Sequence, residues 1–478
     1  MDSRTKIVAT IGPASDSPEV LDGLLLAGVD VVRLNLSHGH VDDHIAVMRR
    51  VRESAARVGQ VVAVLADLPG PKVRSGQFAV GGVELIAGAT VRLVPGDGPS
   101  TEHELTVDYP TLLDDLVVGD RVVLGDGAIS LLVREIGPHA VECVVLTGGR
   151  VQGRPGVHIP SERLRITTPT AEDLRLARIM TEAGADFLAV SFVRRAADMQ
   201  QVRDAVAPST VRLISKIETL GAIDNLEEIV GASDGVMVAR GDLGIECPLE
   251  DVPHLQKRII RHCVEVGVPV ITATQVMESM ITSPSPTRAE VSDIANAVFD
   301  GTDALMLSAE TAIGIDPIGV VRTMVRVAER AEVEASYSQW SSRLGRLQRR
   351  HWPDGPDRIT MAITHAAGLA AVDAGADAIL CCTRSGRTVQ AMARFRPTPK
   401  LLGLSHDLAT VRAMALSWGV TALELPIAET TDELVWFAVE AAVRAGHIHH
   451  GQVVLVLAGA PDRTSGASTD VLRIVRVT

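Results

Sequence analysis

Eight short runs of β-branched and aliphatic residues, separated by stretches long enough for a helix, limit what this 478-residue chain can become. In order they are KIVATIG from Lys6, VVRLNLS from Val31, VAVLAD from Val62, DFLAVSF from Asp186, RLISKIE from Arg212, GVMVARGD from Gly235, PVITATQ from Pro269 and ALMLSAE from Ala304. Nearly continuous apolar runs mark parallel strands buried on both faces. The spacers, among them PEVLDGLLLAG, TAEDLRLARIMTEAG and HLQKRIIRHCVEVG, are amphipathic, and several end in a glycine placed to cap a helix. Eight strands, each followed by a helix, predict an α/β fold of the (β/α)8 TIM barrel type. Aromatics are only 3% of the residues, so Val, Leu, Ile and Ala have to fill the core.

The connection between the third and fourth runs breaks this rhythm. Between residues 71 and 168 short alternating runs (ATVRLV, DRVVLGDG, ISLLVREI, AVECVVL) are punctuated by Gly and Asp turns, which predicts an inserted all-β lid domain, a small barrel or sandwich. Pro69, Pro71 and Pro169 flank its junctions. The catalytic barrel is therefore expected from residues 1–70 and 169–340. The polar stretch SYSQWSSRLGRLQRRHWPDGPDR from Ser336 reads as a linker. Over residues 355–478 the βα alternation resumes with ADAILCCT, KLLGLS, TALELP and QVVLVLAG, then VLRIVRV, predicting a C-terminal α/β layered domain with its own core.

Lys and Arg number 46 against 59 Asp and Glu, and the net charge of -13 argues against holding nucleic acid or an anionic membrane through bulk charge. The five cysteines are odd in number and scattered without a C-x-x-C pair, which suggests neither a disulfide framework nor a zinc knuckle. No signal-peptide segment precedes the first strand, and no run reaches the ~18 apolar residues of a membrane span. A soluble, cytoplasmic protein is expected.

Chemistry in a (β/α)8 barrel sits at the C-terminal ends of the strands. Polar residues cluster there: Thr10; Arg33, Asn35 and Ser37; Asp67; Ser191; Lys216 and Glu218; Arg240 and Asp242; Thr274 and Gln275; Ser308 and Glu310. Lys216 and Glu218, two residues apart, point to the same side of a strand. By themselves they leave a structural ion pair open as the bland reading. Asp242, ending the next strand, adds a second carboxylate, and two such groups make the oxygen half-shell that Mg²⁺ takes when water and substrate complete it. Lys216 beside that ion suits a phosphate or an enolate. Arg33 with Asn35, Ser37, His38, Asp67 and Arg74 suits phosphoryl oxygens bridged by cations. His38 alone reads as a loop residue. In the C-terminal half, Thr383, Ser385, Gly386, Arg387 and Thr388 form a turn that is either a phosphate pocket or a polar helix cap.

The strings VVRLNLSHG, ADLPGPKVR, LISKIE, DGVMVARGDLGIE, TATQVMESMI, SPTRAEVSDIANAVFDGTDALMLSAET and TRSGRT, in this order over nearly the whole chain, resemble the pyruvate kinase family. The resemblance implies phosphoryl transfer from phosphoenolpyruvate to ADP, yielding pyruvate and ATP as the last step of glycolysis, with protonation of enolpyruvate. It implies that Glu218 and Asp242 hold Mg²⁺, with Mn²⁺ as a substitute. Lys216 and Arg33 would neutralise the phosphoryl group, Thr274 and Ser308 would flank the methylene face of the enolate, and Ala239, Gly241 and Asp242 would hold the carboxylate. Asn35, Ser37, Asp67 and Leu68 match a monovalent-cation cage; Asn35, His38, Arg74 and Arg154 match the nucleotide side. The C-terminal turn matches an allosteric site for a sugar phosphate or nucleotide, with the loop GAPDRTSGAS closing over it. A homotetramer is implied as well.

The chain also departs from the family pattern. Leu68 and Lys72 stand where potassium-dependent members carry Thr and Glu, so a fixed ammonium is expected to replace the mobile cation and K⁺ should not be required. Pro155 replaces a lid lysine beside Arg154, and Gly125, Asp126, Gly127 replace Asp-Asp-Gly; Pro69 and Gly221 are unusual choices within matching motifs. A lyase or aldolase forming a magnesium enolate needs no lid. A non-catalytic or weakly active paralogue that senses phosphometabolites would not need Lys216, Glu218, Asp242, Arg33 and Thr274 together.

Overall fold

The computed structural model describes residues 3–125, 127–160, 163, 165, 167–335, 337, 344, 356–459 and 469–478. Most of the predicted linker, Asp126, and residues 460–468 of the predicted effector loop lie outside them. All eight apolar runs form strands, and these close into a parallel barrel: Lys6–Thr10, Val31–Asn35, Ala63–Asp67, Phe187–Val190, Arg212–Ile217, Gly235–Ala239, Val270–Ala273 and Ala304–Leu307, in chain order around the ring.

Strand alternation divides each run between two cores. Val8, Val31, Leu65, Phe187, Ile214, Met237, Ile271 and Met306 fill the inside of the cylinder, and their neighbours Ile7, Val32, Val64, Leu188, Leu213, Val236, Val270 and Leu305 pack outward against the helices. Burial on both faces explains why the runs read as continuous rather than alternating. Each fully buried aliphatic side chain is worth roughly 1.5–3 kcal/mol. Ser17, Thr170 and Thr287 cap their helices through side-chain oxygens; Gly28 and Gly301 end the first and last of these, and Gly267 ends the helix Val252–Val266, all in the left-handed conformation.

Among its described residues the insertion has eight short strands, six in one sheet and the pair Val83–Leu85 with Gly149–Val151 in another, plus the short helix Leu112–Asp115. Near the C-terminus the strands Val420–Glu424, Lys400–Ser405, Ala378–Cys382 and Val453–Ala458 run parallel, and Val471–Arg476 adds antiparallel at the edge. This layer docks on the end of the barrel opposite the polar strand ends. Ala413, Ala415 and Leu416 join the core inside the cylinder, and Arg412 and Arg52 both pair with Asp186 at the start of the fourth barrel strand. The buried Arg396 guanidinium pairs with Asp303 at 2.8 Å and lies over the Trp418 ring. No described helix is long and apolar enough to cross a membrane.

Candidate active site

Lys216 is the last but one residue of its strand, and its ammonium is gathered in by three groups. It lies 2.9 Å from Glu218 Oε1 and 3.3 Å from Asp67 Oδ1, and it donates to Ser191 Oγ at 2.8 Å. Burial on its own would push this amine down, but Asp67, Glu218 and Asp242 outweigh it and hold the ammonium above the ordinary lysine range. Ser191 Oγ in turn donates a hydrogen bond to Leu68 O at 2.7 Å, linking the ends of the third, fourth and fifth strands in one chain of hydrogen bonds.

Arg33 reaches across to the same carboxylate. Its Nε donates to Asp67 Oδ2 at 2.7 Å, Nη2 lies 2.6 Å from that oxygen, and Nη1 donates to Thr10 Oγ1 at 3.0 Å. Asp67 is fully buried; burial would raise it, but Lys216 and Arg33 keep it below the usual carboxylate range. Register places Asn35 opposite Asp67 on the adjoining strand, with Asn35 Oδ1 accepting from Ser37 N at 3.2 Å. Leu68 follows with its side chain buried.

Glu218 is 1% exposed on its side chain; Oε2 accepts the Phe192 amide at 2.6 Å. Its Oε1 touches Lys216 but receives no well-directed hydrogen bond. Desolvation first, and then the charge of Asp242, raise this carboxyl above the ordinary range, against the pull of Lys216. A buried carboxylate with an unfilled oxygen beside a second carboxylate fits a divalent cation. Among the described residues no three His, Cys, Asp or Glu side chains form a ready-made metal cluster. Glu218 and Asp242 would therefore supply a minority of the ligands, leaving the rest to water and substrate, as suits Mg²⁺.

On the next strands, Ala239 ends its strand and the helix Arg240–Glu246 begins, with Gly241 N donating to Thr274 Oγ1 at 2.8 Å. Thr274 and Gln275 hold φ of 64° and 53°, and Phe192 holds 55°, conformations that side chains rarely adopt and that concentrate at working sites. Buried Glu310 accepts both Ser308 N at 2.6 Å and Met277 N at 3.2 Å, tying the seventh strand end to the eighth. Ser308 Oγ is buried and has no hydrogen-bond partner among the described residues.

Cations line the side toward the insertion. The His38 ring is pushed down by burial and by Lys72, Arg74 and Arg33, so it favours the neutral form. Lys72 is exposed overall, yet partial dehydration, then Arg74 and Lys216, push its ammonium down to about 8 against the opposing pull of Asp67 and Asp242. Arg154 lies on the insertion, with Arg74 Nη1 donating to its carbonyl at 3.3 Å and its own guanidinium 3.6 Å from Asp108. A separate groove of about 410 Å³ on the outer face, between Glu227, Glu228, Arg258 and Arg261, shares none of these residues.

The C-terminal turn lies far from this cluster in the chain but is tied to the strand that carries Lys216. Gly386 N donates to Thr383 Oγ1 at 2.9 Å, Thr388 Oγ1 meets Thr469 Oγ1 at 2.5 Å, and Ser385 O accepts from Arg212 Nη2 at 2.7 Å. Arg387 follows at the start of the helix Arg387–Ala393. Sequence reasoning missed this Arg212 bond, the Phe192 amide and the carbonyl partners of Arg240; each runs through the backbone, which leaves no residue-type signal.

A family model described as the barrel domain of pyruvate kinase matches residues 2–321, and one described as its alpha/beta domain matches residues 361–475. A pyruvate kinase of Geobacillus stearothermophilus is 40% identical over 479 residues, covering 99% of this chain and 80% of the relative. Those of Sporosarcina psychrophila and Staphylococcus aureus are 38% and 37% identical, each covering 98% of this chain and 80% of the relative.

Proposed function

The chain belongs to the pyruvate kinase family and is a phosphotransferase, and from that premise we propose that it moves the phosphoryl group of phosphoenolpyruvate to ADP, giving pyruvate and ATP, with the residues above in named roles. The observation that carries the reading is the Lys216 ammonium held between Asp67 and Glu218, with Asp242 and Arg33 around it. Phosphoryl transfer depends on positioning and on charge placed in advance. Lys216 and Arg33 receive the negative charge of the group in flight, and neither has to move, because Asp67 grips both. Glu218 and Asp242 would hold Mg²⁺, or Mn²⁺ in its place, which when bound neutralises phosphoryl and carboxylate oxygens as a Lewis acid. Ala239, Gly241 and Asp242 border the substrate carboxylate, which the backbone N–H groups around Gly241 and Asp242 would hold. Thr274 and Ser308 stand at the enolate's methylene, where a hydroxyl and water relay adds the proton that completes the methyl group. Asn35, His38, Arg74 and Arg154 face the nucleotide phosphates.

Asn35, Ser37, Asp67 and the Leu68 carbonyl form the outline of a monovalent-cation cage, and Lys72 takes over its charge. The Lys72 ammonium is felt by Asp67 and Asp242, which supports this role over that of a solvated loop charge. A coupled assay with phosphoenolpyruvate and ADP tests both readings. At pH 7 full activity is expected without K⁺. Because the Lys72 charge is present below about pH 8 and lost as pH rises through it, K⁺ stimulation should emerge only on the alkaline side. Lys72→Glu should lower the K⁺-free rate at least tenfold, ~1.4 kcal/mol of barrier, and K⁺ should restore it. No pyruvate under any condition would leave only the sensor or lyase readings; tenfold K⁺ stimulation of the parent at pH 7 would remove Lys72 from its role.

The turn of Thr383, Ser385, Gly386, Arg387 and Thr388 is proposed as the allosteric site for a sugar phosphate or nucleotide. Arg212 supports this, since its guanidinium donates to Ser385 O and its own strand, Arg212–Ile217, carries Lys216 and runs directly into Glu218. A homotetramer accompanies it: the edge strand Val471–Arg476 exposes Ile474, and Trp436 stands 60% exposed on the helix Thr431–Arg444, surfaces suited to a second copy. Five free, buried cysteines suit a reducing, cytoplasmic setting. A panel of sugar phosphates and AMP that leaves the rate unchanged, or a monomer mass by sedimentation equilibrium, would overturn these two parts.

A further inference from the structure

We propose that Arg240 is the positioning residue that fixes the Thr274 hydroxyl for the proton-transfer half of the reaction. This rests on the reading of Thr274 given above. Thr274 and Gln275 sit at φ of 64° and 53°, and a β-branched residue does not stay there unless its surroundings hold it. Among the described residues, the holding group is one guanidinium. Arg240 Nε lies 3.3 Å from Ala273 O and 3.2 Å from Thr274 O, and Nη2 donates to Thr274 O at 2.7 Å and to Gln275 O at 3.1 Å. Three successive carbonyls of the strained turn thus converge on one planar fork.

The fork is itself anchored. Nη1 meets Asp293 Oδ2 at 2.6 Å and Gln256 Oε1 at 3.4 Å, and the Arg240 side chain is 10% exposed. All three nitrogens have protein acceptors, so Arg240 acts on the backbone of Thr274 rather than on substrate. The next residue completes the grip: Gly241 N donates to Thr274 Oγ1 at 2.8 Å, and a Cβ at Gly241 would come within 3.4 Å of that oxygen. The dipeptide Arg240–Gly241 therefore fixes the turn from its carbonyl side and the hydroxyl oxygen from its amide side. Only the hydroxyl proton, which now rests on Ala273 O at 2.7 Å, is left to rotate toward a substrate. A lysine, with one point charge and no planar fork, cannot reproduce three directed bonds.

The test compares Arg240→Ala, Arg240→Lys and Thr274→Val with the parent in three measurements. These are steady-state kinetics, exchange of solvent deuterium into the methyl group of pyruvate (the reverse of the protonation step), and amide hydrogen exchange over residues 271–278. For Arg240→Ala we expect kcat and methyl exchange to fall together by about 100-fold, the loss that a displacement of about 1 Å brings. KM for phosphoenolpyruvate should change by less than about threefold, and millimolar guanidinium, but not ammonium, should recover at least about fivefold. Amide exchange over 271–278 should accelerate while the rest of the barrel keeps its protection. Arg240→Lys should fall about tenfold in the same pattern, which keeps the test alive if the alanine protein does not fold. Methyl exchange within threefold of the parent, a loss confined to KM, or rescue by ammonium as good as by guanidinium would overturn the proposal. If Thr274→Val leaves methyl exchange intact, the Thr274 reading falls and takes this one with it. If Thr274→Val abolishes exchange and the Arg240 variants do not, only the inference about Arg240 fails.

Discussion

Lys216→Met is expected to remove turnover, lowering kcat by ~10³-fold or more, while the circular dichroism spectrum and elution volume stay those of the parent. Losing a single neutral donor to a developing charge costs roughly 10²–10³ in rate. Lys216 contributes a full charge, 12% exposed and aimed by Asp67, Glu218 and Ser191, so its loss should reach the upper end or beyond. The substitution also strands two buried carboxylates. Breaking a buried pair by removing one partner costs about 3–5 kcal/mol, but here Arg33 keeps its hold on Asp67, and Glu218 already favours a proton more than an ordinary carboxylate does. A lowered melting temperature with a native spectrum is therefore the expected picture. Lys216→Arg separates charge from place: it keeps a cation next to Asp67 but cannot put a compact ammonium between three oxygens, so activity should recover only in part. A Met variant retaining more than about a tenth of the parent rate would show that the charge at this position is not what drives transfer.

How much of this was legible beforehand follows from where the information sits. The eight barrel strands lie where the apolar runs put them because strands buried on both faces carry their signal in every residue. The insertion was harder. Val83–Leu85, Gly149–Val151 and Val157–His158 are two or three residues long with mixed burial, so alternation had no length in which to appear. In the site, Lys216, Glu218, Asp67 and Arg33 were visible because a charge inside an apolar run needs a reason. Phe192, which hands its amide to Glu218, was not, since any residue has an amide. The left-handed turn at Thr274 was equally silent, because no glycine announces it. Arg240 stood out as a charged strand end, but its meaning depends on carbonyls more than thirty residues ahead in the chain. Thr388 and Thr469 are joined through the fold alone, 81 residues apart.

Glu218→Gln is expected to move stability and activity in opposite directions. In the parent without metal, three carboxylates, those of Asp67, Glu218 and Asp242, crowd around Lys216 and Arg33, and Glu218 Oε1 lacks a directed hydrogen bond. The raised carboxyl of Glu218 marks which member of the group resists ionisation. A folded-state value above the unfolded one means that stability is given up as pH rises from the unfolded carboxyl range through the folded one, so at pH 7 this residue works against the fold. Glutamine keeps the volume, still accepts from Phe192 N and leaves Lys216 in contact with Asp67. The metal-free variant should therefore melt higher than the metal-free parent by a few degrees, about 1–2 kcal/mol at roughly 2–4 °C per kcal/mol. Binding of Mg²⁺ to the folded parent should raise its melting temperature in proportion to the logarithm of metal concentration. The variant should lose most of that rise, and kcat/KM should drop by about 10²–10³-fold. Differential scanning fluorimetry across a Mg²⁺ series, set beside the coupled assay, reads both quantities. A variant that melts lower than the metal-free parent while keeping the full Mg²⁺ response would mean that Glu218 is a structural partner of Lys216 and that the metal is held elsewhere.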